Sequence, residues 1–337
     1  MANGGPSIQS LSERLGLSKA TVSKALNGYK QVSPVTRARV LDMAAQMGYT
    51  ASSAPSASAP APRRIGWPYR APTENYEATH LIVRGFQDLA PQLNMEIVLL
   101  PEFSDAFRAE HRLRDVVAQN KLDGLFLSSL RIEDDYLEQV GDLSLPVLFW
   151  DLPIELQKPN FGFIAYDSLE GARMAVSHLT SLGHRRIGFL NGHRHAYVSW
   201  QRLDGYRLAL SRAGIGFDDH LVYEGDFSIE CGGRAFNQLM PQGVTAIFCA
   251  SDKMAIGVMR AAQAAGVVVP QDLSIVGYDD EILCTAVTPG LTTIGQDFSQ
   301  IGRVSCSMMD CLLRGLPLAP VSLRPRLVLR ESACAAR

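Results

Sequence analysis

The sequence predicts a small all-α domain that contains a helix-turn-helix, followed by a two-lobed α/β domain built from doubly wound parallel sheets. The length of 337 residues exceeds what one hydrophobic core usually serves. Residues 1–50 hold six lysines and arginines against two carboxylates, a net +4, so the rest must carry −6 to give the overall −2. The apolar pattern also changes, from helical spacing in residues 1–50 to short apolar runs that begin near residue 64.

The composition excludes several classes of protein. An apolar fraction of 47% is ordinary for a globular protein, and no run approaches the ~18 apolar residues of a membrane helix. The first ten residues have neither the basic start nor the apolar segment of a signal peptide, so we expect a cytoplasmic protein. The six cysteines form no CxxC pair, which favours reduced thiols.

Three short helices are predicted in residues 1–50. Ser7 is a cap for a first helix that Gly16 ends, Ser18 is a cap for a second, and Ser33 before a proline is a cap for a third. The apolar residues of each helix share one face: Ile8, Leu11 and Leu15, then Val22 and Leu26, then Val40, Met43, Ala44 and Met47. Two short helices joined by a turn with glycine and packed on a third form a helix-turn-helix.

The second helix of such a motif enters the major groove of DNA and reads bases with its N-terminal residues. Lysines can donate to guanine, hydroxyls can bond phosphate, and a small residue allows close approach. The outward positions here are Lys19, Ala20, Thr21, Ser23 and Lys24. From helix spacing alone, a solvated surface helix in a small bundle is an equal alternative.

The stretch LSERLGLSKATVSKALNGYKQVSPVTRARVLDMAAQMGY at residues 11–49 closely resembles the DNA-binding domain of the LacI/GalR family of bacterial transcription regulators. The shared pieces are TVSKALNG, VSPVTRARV and MGY. The resemblance implies that Lys19, Ala20 and Lys24 touch base edges, while the hydroxyl residues and Asn27 support the turn or contact phosphates. The DNA-binding set is then Ser18, Lys19, Ala20, Thr21, Ser23, Lys24, Asn27, Tyr29 and Lys30.

Residues 51–63 are rich in alanine, serine and proline, a composition typical of a flexible to semi-extended linker. Members of the family that it resembles carry a short hinge helix here, whose leucine inserts into the minor groove. In this chain Ser58 stands at the leucine position and Pro55 at an alanine position. We therefore expect a degenerate hinge, which does not kink the operator.

From residue 64 onward, short apolar runs alternate with helical patterns, as in parallel α/β sheets. The runs are RIGW, MEIVLL, GLFL, PVLFW, RRIGFL, TAIFCA and LSIVGY. The length allows two such lobes. The family resemblance implies that residues 64–337 form one effector-binding and dimerisation domain, with an N-terminal lobe at about residues 64–164 plus 294–322 and a C-terminal lobe at about 165–292 plus 323–337.

Ligands of open parallel sheets bind beyond the carboxyl ends of the strands. Asp151 and Asp279 each directly end an apolar run there, and Arg202 near a helix start would supply a donor. Carboxylates and an arginine beside aromatic rings suit hydrogen bonds to sugar hydroxyls. For Asp252 the alternative interpretation is a helix cap, and for Asp280 it is a turn residue.

The resemblance continues through DSLEGARMAVSHLTSLGHRRIGFL, RLDGYRLAL, AIFCASDKMAIGVM, DLSIVGYDD and LTTIGQDF. It implies a body like the periplasmic sugar-binding proteins, with two lobes around an effector cleft, and a side-by-side homodimer. Ser251 stands where many relatives have asparagine, and Arg70 would favour a sugar acid if it faces the cleft. The predicted effector set is Arg70, Ser128, Asp151, Trp200, Arg202, Ser251, Asp279, Gln296 and Phe298.

The hypothesis is therefore a repressor that binds double-stranded operator DNA under the control of a sugar or sugar acid. A solute-binding protein and a sugar-processing enzyme with Asp151 and Asp279 as its acid–base pair are the alternatives. No cofactor is predicted, because neither a phosphate-binding loop nor GxGxxG after a strand is present. No metal is predicted either, because HRH at 193–195 has no cysteine or carboxylate partner at ligand spacing.

Overall fold

The computed structural model describes residues 7–26, 32–47, 61–68, 76–100, 112–128, 136–152 and 158–337. The chain forms two compact units, Met1–Ala61 and Pro62–Arg337. Within the described ranges, no helix has the length and hydrophobicity that a membrane crossing requires. Most of the predicted linker lies outside these ranges, as do four predicted site residues: Asn27, Tyr29, Lys30 and Arg70.

The first unit is the predicted three-helix domain. Its helices are α1 (Ile8–Leu15), α2 (Lys19–Leu26) and α3 (Pro34–Gln46). Ser7 and Ser10 cap the start of α1 reciprocally, and Gly16 ends the helix in the left-handed conformation, with φ of 63°. The core consists of Leu11, Val22, Ala25, Val32, Val40 and Ala44. Leu26, which was predicted to face inward, only packs against the edge of this core, since Ala25 takes the buried position.

The second unit alternates strands and helices along the chain. In order they are β1 (Arg63–Pro68), α4 (Tyr76–Leu89), β2 (Met95–Leu100), α5 (Leu113–Gln119), β3 (Gly124–Leu127), α6 (Tyr136–Gly141), β4 (Val147–Trp150), β5 (Phe161–Tyr166), α7 (Ser168–Ser181), β6 (Ile187–Asn191), α8 (Tyr197–Arg212), β7 (Val222–Glu224), α9 (Ile229–Leu239), β8 (Ala246–Cys249), α10 (Asp252–Ala264), β9 (Ser274–Asp279), α11 (Leu283–Ala286), β10 (Thr292–Gly295), α12 (Phe298–Leu313), β11 (Val321–Leu323) and β12 (Arg326–Val328).

These strands form two six-stranded sheets. The first has the order β11-β5-β4-β3-β1-β2 and is parallel throughout. The second has the order β12-β10-β9-β8-β6-β7, and only β12 runs antiparallel to its neighbour. The predicted fold class is confirmed. The lobe limits given above remain predictions.

The chain passes between the two sheets three times, after β5, after β10 and after β11. The crossings are joined to one another: Asp167 N–H donates to Leu323 O at 2.9 Å, and Asp297 N–H donates to the Tyr166 hydroxyl at 2.8 Å. The carboxyl ends of β5 and β11 in the first sheet therefore lie beside the carboxyl end of β10 in the second. This arrangement positions the residues considered next.

Candidate functional site

The outward face of α2 carries the residues predicted to meet DNA. Ser18, Lys19, Ala20 and Lys24 are exposed, whereas Val22 on the opposite face is wholly buried. Thr21 and Ser23 are half-buried between these faces. The Ser18 hydroxyl accepts from Thr21 N–H at 3.1 Å, so it caps α2. The two lysines thus point to solvent, while the opposite face of α2 packs in the core of the first unit.

In the second unit, four polar residues from different elements come together. Asp151 follows β4, Asp279 ends β9, Gln296 follows β10, and Arg202 lies in the second turn of α8. We call these four residues the polar cluster. Two of its members have positive φ without being glycine, 58° for Asp151 and 115° for Asp279. Such backbone costs about 1–3 kcal/mol and is concentrated at functional sites.

Asp279 is the centre of the cluster. Its Oδ1 lies 4.0 Å from Arg202 Nη2 and accepts from Gln296 Nε2 at 3.2 Å. Arg202 is 4% exposed, donates from Nη1 to Ala250 O at 2.5 Å, and stacks its guanidinium 3.8 Å from the centre of the Tyr278 ring. The arginine is therefore fixed by contacts to β9 and to the residue after β8 before any ligand arrives.

Burial raises the pKa of both carboxyls of the cluster. The pKa of Asp151 rises from 3.8 to about 7, mainly through desolvation, although the Arg202 charge lowers it. Desolvation also raises the pKa of Asp279, and the nearby charge of Asp151 adds to that rise. Asp151 directly follows a strand of the first sheet and Asp279 ends a strand of the second, so the carboxyl edges of both sheets contribute to the cluster.

Among the described residues, several buried polar atoms at this edge have no hydrogen-bond partner. They include Asp151 Oδ1, Arg202 Nε, Gln296 Oε1 and the indole nitrogen of Trp150. Buried polar groups are nearly always paired, so each such atom requires an explanation. Both donors and acceptors occur in this set, and a bound polar ligand would satisfy both.

The remaining predicted residues lie in other contacts. Ser128 Oγ accepts from Trp67 Nε1 at 2.8 Å, and Trp200 is 52% exposed. Ser251 is buried and caps α10 by accepting from Met254 N–H at 3.2 Å. Phe298 is buried with its ring edge-on to Trp150, 6.1 Å between centres. The structure thus joins Arg202, Asp279 and Gln296 by direct contacts, brings Asp151 within the electrostatic influence of Arg202, and places Phe298 against the neighbour of Asp151.

The reading of Asp252 as the cap of α10 is wrong, because Ser251 has that role. Asp252 is the first residue of the helix and is wholly buried. Its carboxylate accepts from the Thr293 hydroxyl at 2.5 Å and from Glu281 N–H at 2.9 Å. It therefore fixes the chain just beyond Asp279.

One residue near the carboxyl edge was missed from the sequence. Phe227 follows β7 with φ of 63°, and a Cβ on Gly192, just after β6, would overlap its ring. An aromatic face is thus held against the backbone at the ends of two neighbouring strands. The rule of reading the residues after each strand would have found it, but β7 has only three residues and forms no apolar run.

In the described residues, the HRH histidines belong to no group with metal-ligand geometry. The rings of His193 and His195 are tilted to each other, with their centres 5.0 Å apart. The one group with metal-ligand geometry in this part of the chain is Asp218, Asp219 and His220, of which the last two are exposed. All six cysteines are free.

Comparison with known proteins gives consistent matches for both units. Residues 7–52 match the family described as bacterial regulatory proteins, lacI family, and residues 176–333 match the periplasmic binding protein-like domain. The HTH-type transcriptional regulator CelR of Thermobifida fusca is 30% identical over 97% of this chain and 98% of its own length. The HTH-type transcriptional repressor CytR of Escherichia coli strain K12 is 33% identical over 89% of this chain and 87% of its own.

Solved structures agree over nearly the whole chain. The CelR–cellobiose complex has a TM-score of 0.73 at 28% identity and covers 97% of this chain and 100% of its own. The lac repressor dimer bound to operator and the anti-inducer ONPF has a TM-score of 0.71 at 29% identity, with 98% and 100% covered. Both matches include the first unit as well as the second.

Proposed function

This chain belongs to the LacI family of bacterial regulatory proteins, and from that premise we propose how its parts act: α2 reads the operator and the polar cluster binds a sugar effector. The relatives are transcriptional regulators and not enzymes, so Asp151 and Asp279 act as hydrogen-bonding groups for a ligand. The protein acts as a repressor in the cytoplasm, where the chromosome lies. A ligand that binds one arrangement of the lobes better than another shifts the protein towards it.

The observation that carries the effector site is the set of unpaired buried atoms at the carboxyl edge. A sugar hydroxyl both donates and accepts, so one class of ligand satisfies the Asp151 oxygen and the Arg202 nitrogen together. Phe227 offers an apolar face for a sugar ring. The structure of the relative CelR holds cellobiose, which makes cellobiose the first ligand to test.

The charge of the cluster supports a neutral sugar over a sugar acid. Within the described residues it contains two carboxylates and one arginine. An anionic ligand would face Asp151 and Asp279 without a second cation to offset them. The expectation of a sugar acid depended on Arg70, which lies outside the described residues.

Thermal unfolding with a panel of neutral sugars and sugar acids tests this site. Cellobiose or another neutral sugar is expected to raise the melting temperature of the unaltered chain, because a ligand that binds only the folded state stabilises it. Gln296→Ala should lose that rise, and the control Gln238→Ala, an exposed glutamine on α9, should keep it. An equal rise in Gln296→Ala would show that the ligand binds elsewhere, and a rise with gluconate alone would favour the sugar acid.

For DNA, the decisive residue is Lys24 on the exposed face of α2. An operator can be selected from a random duplex library and its affinity measured by fluorescence anisotropy. Lys24→Ala should weaken binding by about 1–3 kcal/mol and relax one base position, if the lysine reads a base. The control Arg84→Ala removes a cation from the exposed side of α4 and should leave affinity unchanged. Unchanged affinity and preference in Lys24→Ala would remove α2 as the recognition helix.

A homodimer is part of the same proposal, because dimers of helix-turn-helix proteins bind two half-sites. The second unit offers an apolar groove with a volume of about 450 Å³ between α10 and the loops after α10 and α11. Val268 lines this groove and is 52% exposed. We assign the groove to a second copy of the chain. In sedimentation, Val268→Glu should give monomers, while Leu316→Glu, at a site 51% exposed outside the groove, should not.

A further inference from the structure

A chain of three exposed side chains connects α1 to α2 in the first unit. Lys19 Nζ donates to Gln9 Oε1 at 2.8 Å, and Gln9 Nε2 donates to Glu13 Oε1 at 3.1 Å. The two partners fix the orientation of the Gln9 amide, because an ammonium group only donates and a carboxylate only accepts. Gln9 therefore presents its oxygen to Lys19 and cannot reverse without losing both contacts.

This contact leaves Lys19 able to read a base. An ammonium group has three N–H donors, and Gln9 takes one. Two remain, which matches the two acceptors, N7 and O6, that guanine shows in the major groove. A lysine side chain also loses rotamer entropy when it is immobilised. Gln9 removes part of that loss before DNA arrives.

We propose that Gln9 is a positioning residue for operator recognition, which holds Lys19 and so sets the base preference at the position that Lys19 reads. This inference rests on the proposed function of α2 as the recognition helix. Gln9 was not among the residues predicted to meet DNA, because its spacing on α1 shows only an exposed position. Its role follows from its contact with Lys19.

The first unit contains a matched control for this arrangement. Gln46 on α3 donates to Asp42 Oδ2 at 3.0 Å, four residues away, just as Gln9 donates to Glu13. Both glutamines are exposed. In the described part of the chain, Gln46 holds no lysine. Replacing Gln46 thus reproduces the loss of an amide and of its bond to an acid, but not the loss of a lysine contact.

The test is a double-mutant cycle in the full-length protein, with an operator selected from a random duplex library by the unaltered chain. Affinities of Gln9→Ala, Lys19→Ala and the combined variant are measured by fluorescence anisotropy. We expect Gln9→Ala to weaken binding about 3- to 10-fold. The combined variant should match Lys19→Ala within about twofold, because residues that act as a unit are not additive. Gln46→Ala should bind like the unaltered protein.

Base preference gives the second readout. Selection repeated with Gln9→Ala and Lys19→Ala should relax the same base pair. Gln9→Glu should restore part of the preference, because its carboxylate still accepts from Lys19 although it no longer donates to Glu13. Additive losses, or equal weakening on all sequences as for a phosphate contact, would overturn the positioning role. Full affinity in Gln9→Ala would overturn it as well. If the unaltered chain selects no sequence at all, the proposed function itself fails, and the inference with it.

Discussion

Asp151→Asn is expected to make the protein more stable at pH 8 while it removes a ligand group. The variant keeps the size of the side chain and loses its charge. Within the part of the chain that the structure describes, Asp151 Oδ1 is buried without a partner, and the Arg202 charge lowers the pKa of the carboxyl. The pKa of Asp151 is raised to about 7 from an ordinary value of 3.8, so the folded protein binds this proton more tightly than the unfolded chain does.

The sign of the effect follows from that difference. Below the unfolded value of 3.8 both states are protonated, and the carboxyl does not disfavour folding. Between about pH 3.8 and 7 the unfolded chain gives up this proton while the folded protein keeps it, so the cost grows through this range and reaches up to about 4 kcal/mol above pH 7. Asp151 is half-buried as a whole residue, and solvent screening reduces the figure to roughly 2 kcal/mol. Asparagine avoids this cost.

Urea unfolding followed by tryptophan fluorescence measures the effect in the full-length chain. All three tryptophans, Trp67, Trp150 and Trp200, lie in the second unit, so their signal reports that unit. Asp151→Asn should raise the free energy of unfolding by roughly 2 kcal/mol at pH 8 and by less than about 1 kcal/mol at pH 5. The control Asp142→Asn, at an exposed carboxylate after α6, should change neither value by more than about 0.5 kcal/mol.

The result that would refute this reasoning is an Asp151→Asn variant no more stable than the unaltered chain at pH 8. A gain of equal size at pH 5 and pH 8 would also count against it, because a charge effect must fade as the carboxyl is protonated. A confirmed gain together with a lost sugar response would place Asp151 among residues that serve binding at the expense of stability.

Two other substitutions test the packing contacts around the polar cluster. In Gly302→Ala the new Cβ would clash with the Ile82 carbonyl where α12 crosses α4, which should lower the free energy of unfolding by about 1–3 kcal/mol. In the control Gly233→Ala on α9 the new Cβ meets no atom, so the free energy of unfolding should rise by about 0.5–1 kcal/mol. Urea unfolding measures both, and equal effects would contradict the close crossing of the helices. Glu77→Ala removes the carboxylate that accepts from Ile282 N–H at 3.2 Å, so deuterium exchange at this amide should become roughly fivefold faster. The control Glu230→Ala, at an exposed glutamate in the first turn of α9, should leave the exchange rate unchanged. An unchanged rate in Glu77→Ala would mean that the contact between Glu77 and Ile282 does not form.

Features that depend on local sequence were predicted well. The helix-turn-helix follows from Ser7, Gly16 and Ser18, because caps and turns act within one or two turns of the backbone. Strands such as β1, β3 and β9 follow from near-continuous apolar runs, as expected for parallel strands buried on both faces. By contrast, β5, β10 and the short strands β7, β11 and β12 were not identified as apolar runs, and their place in a sheet depends on the neighbours they pair with.

The sequence by itself thus determined the helix-turn-helix, the class of both units and the residues at the carboxyl ends of strands. Only the tertiary structure decided which of those residues meet. Ser251 turned inward as a helix cap and Ser128 paired with Trp67, while Arg202 joined Asp279 from an element far away in the chain. The reason is physical: whether a buried donor or acceptor remains unpaired depends on every group packed around it, and those groups come from distant segments that only folding brings together.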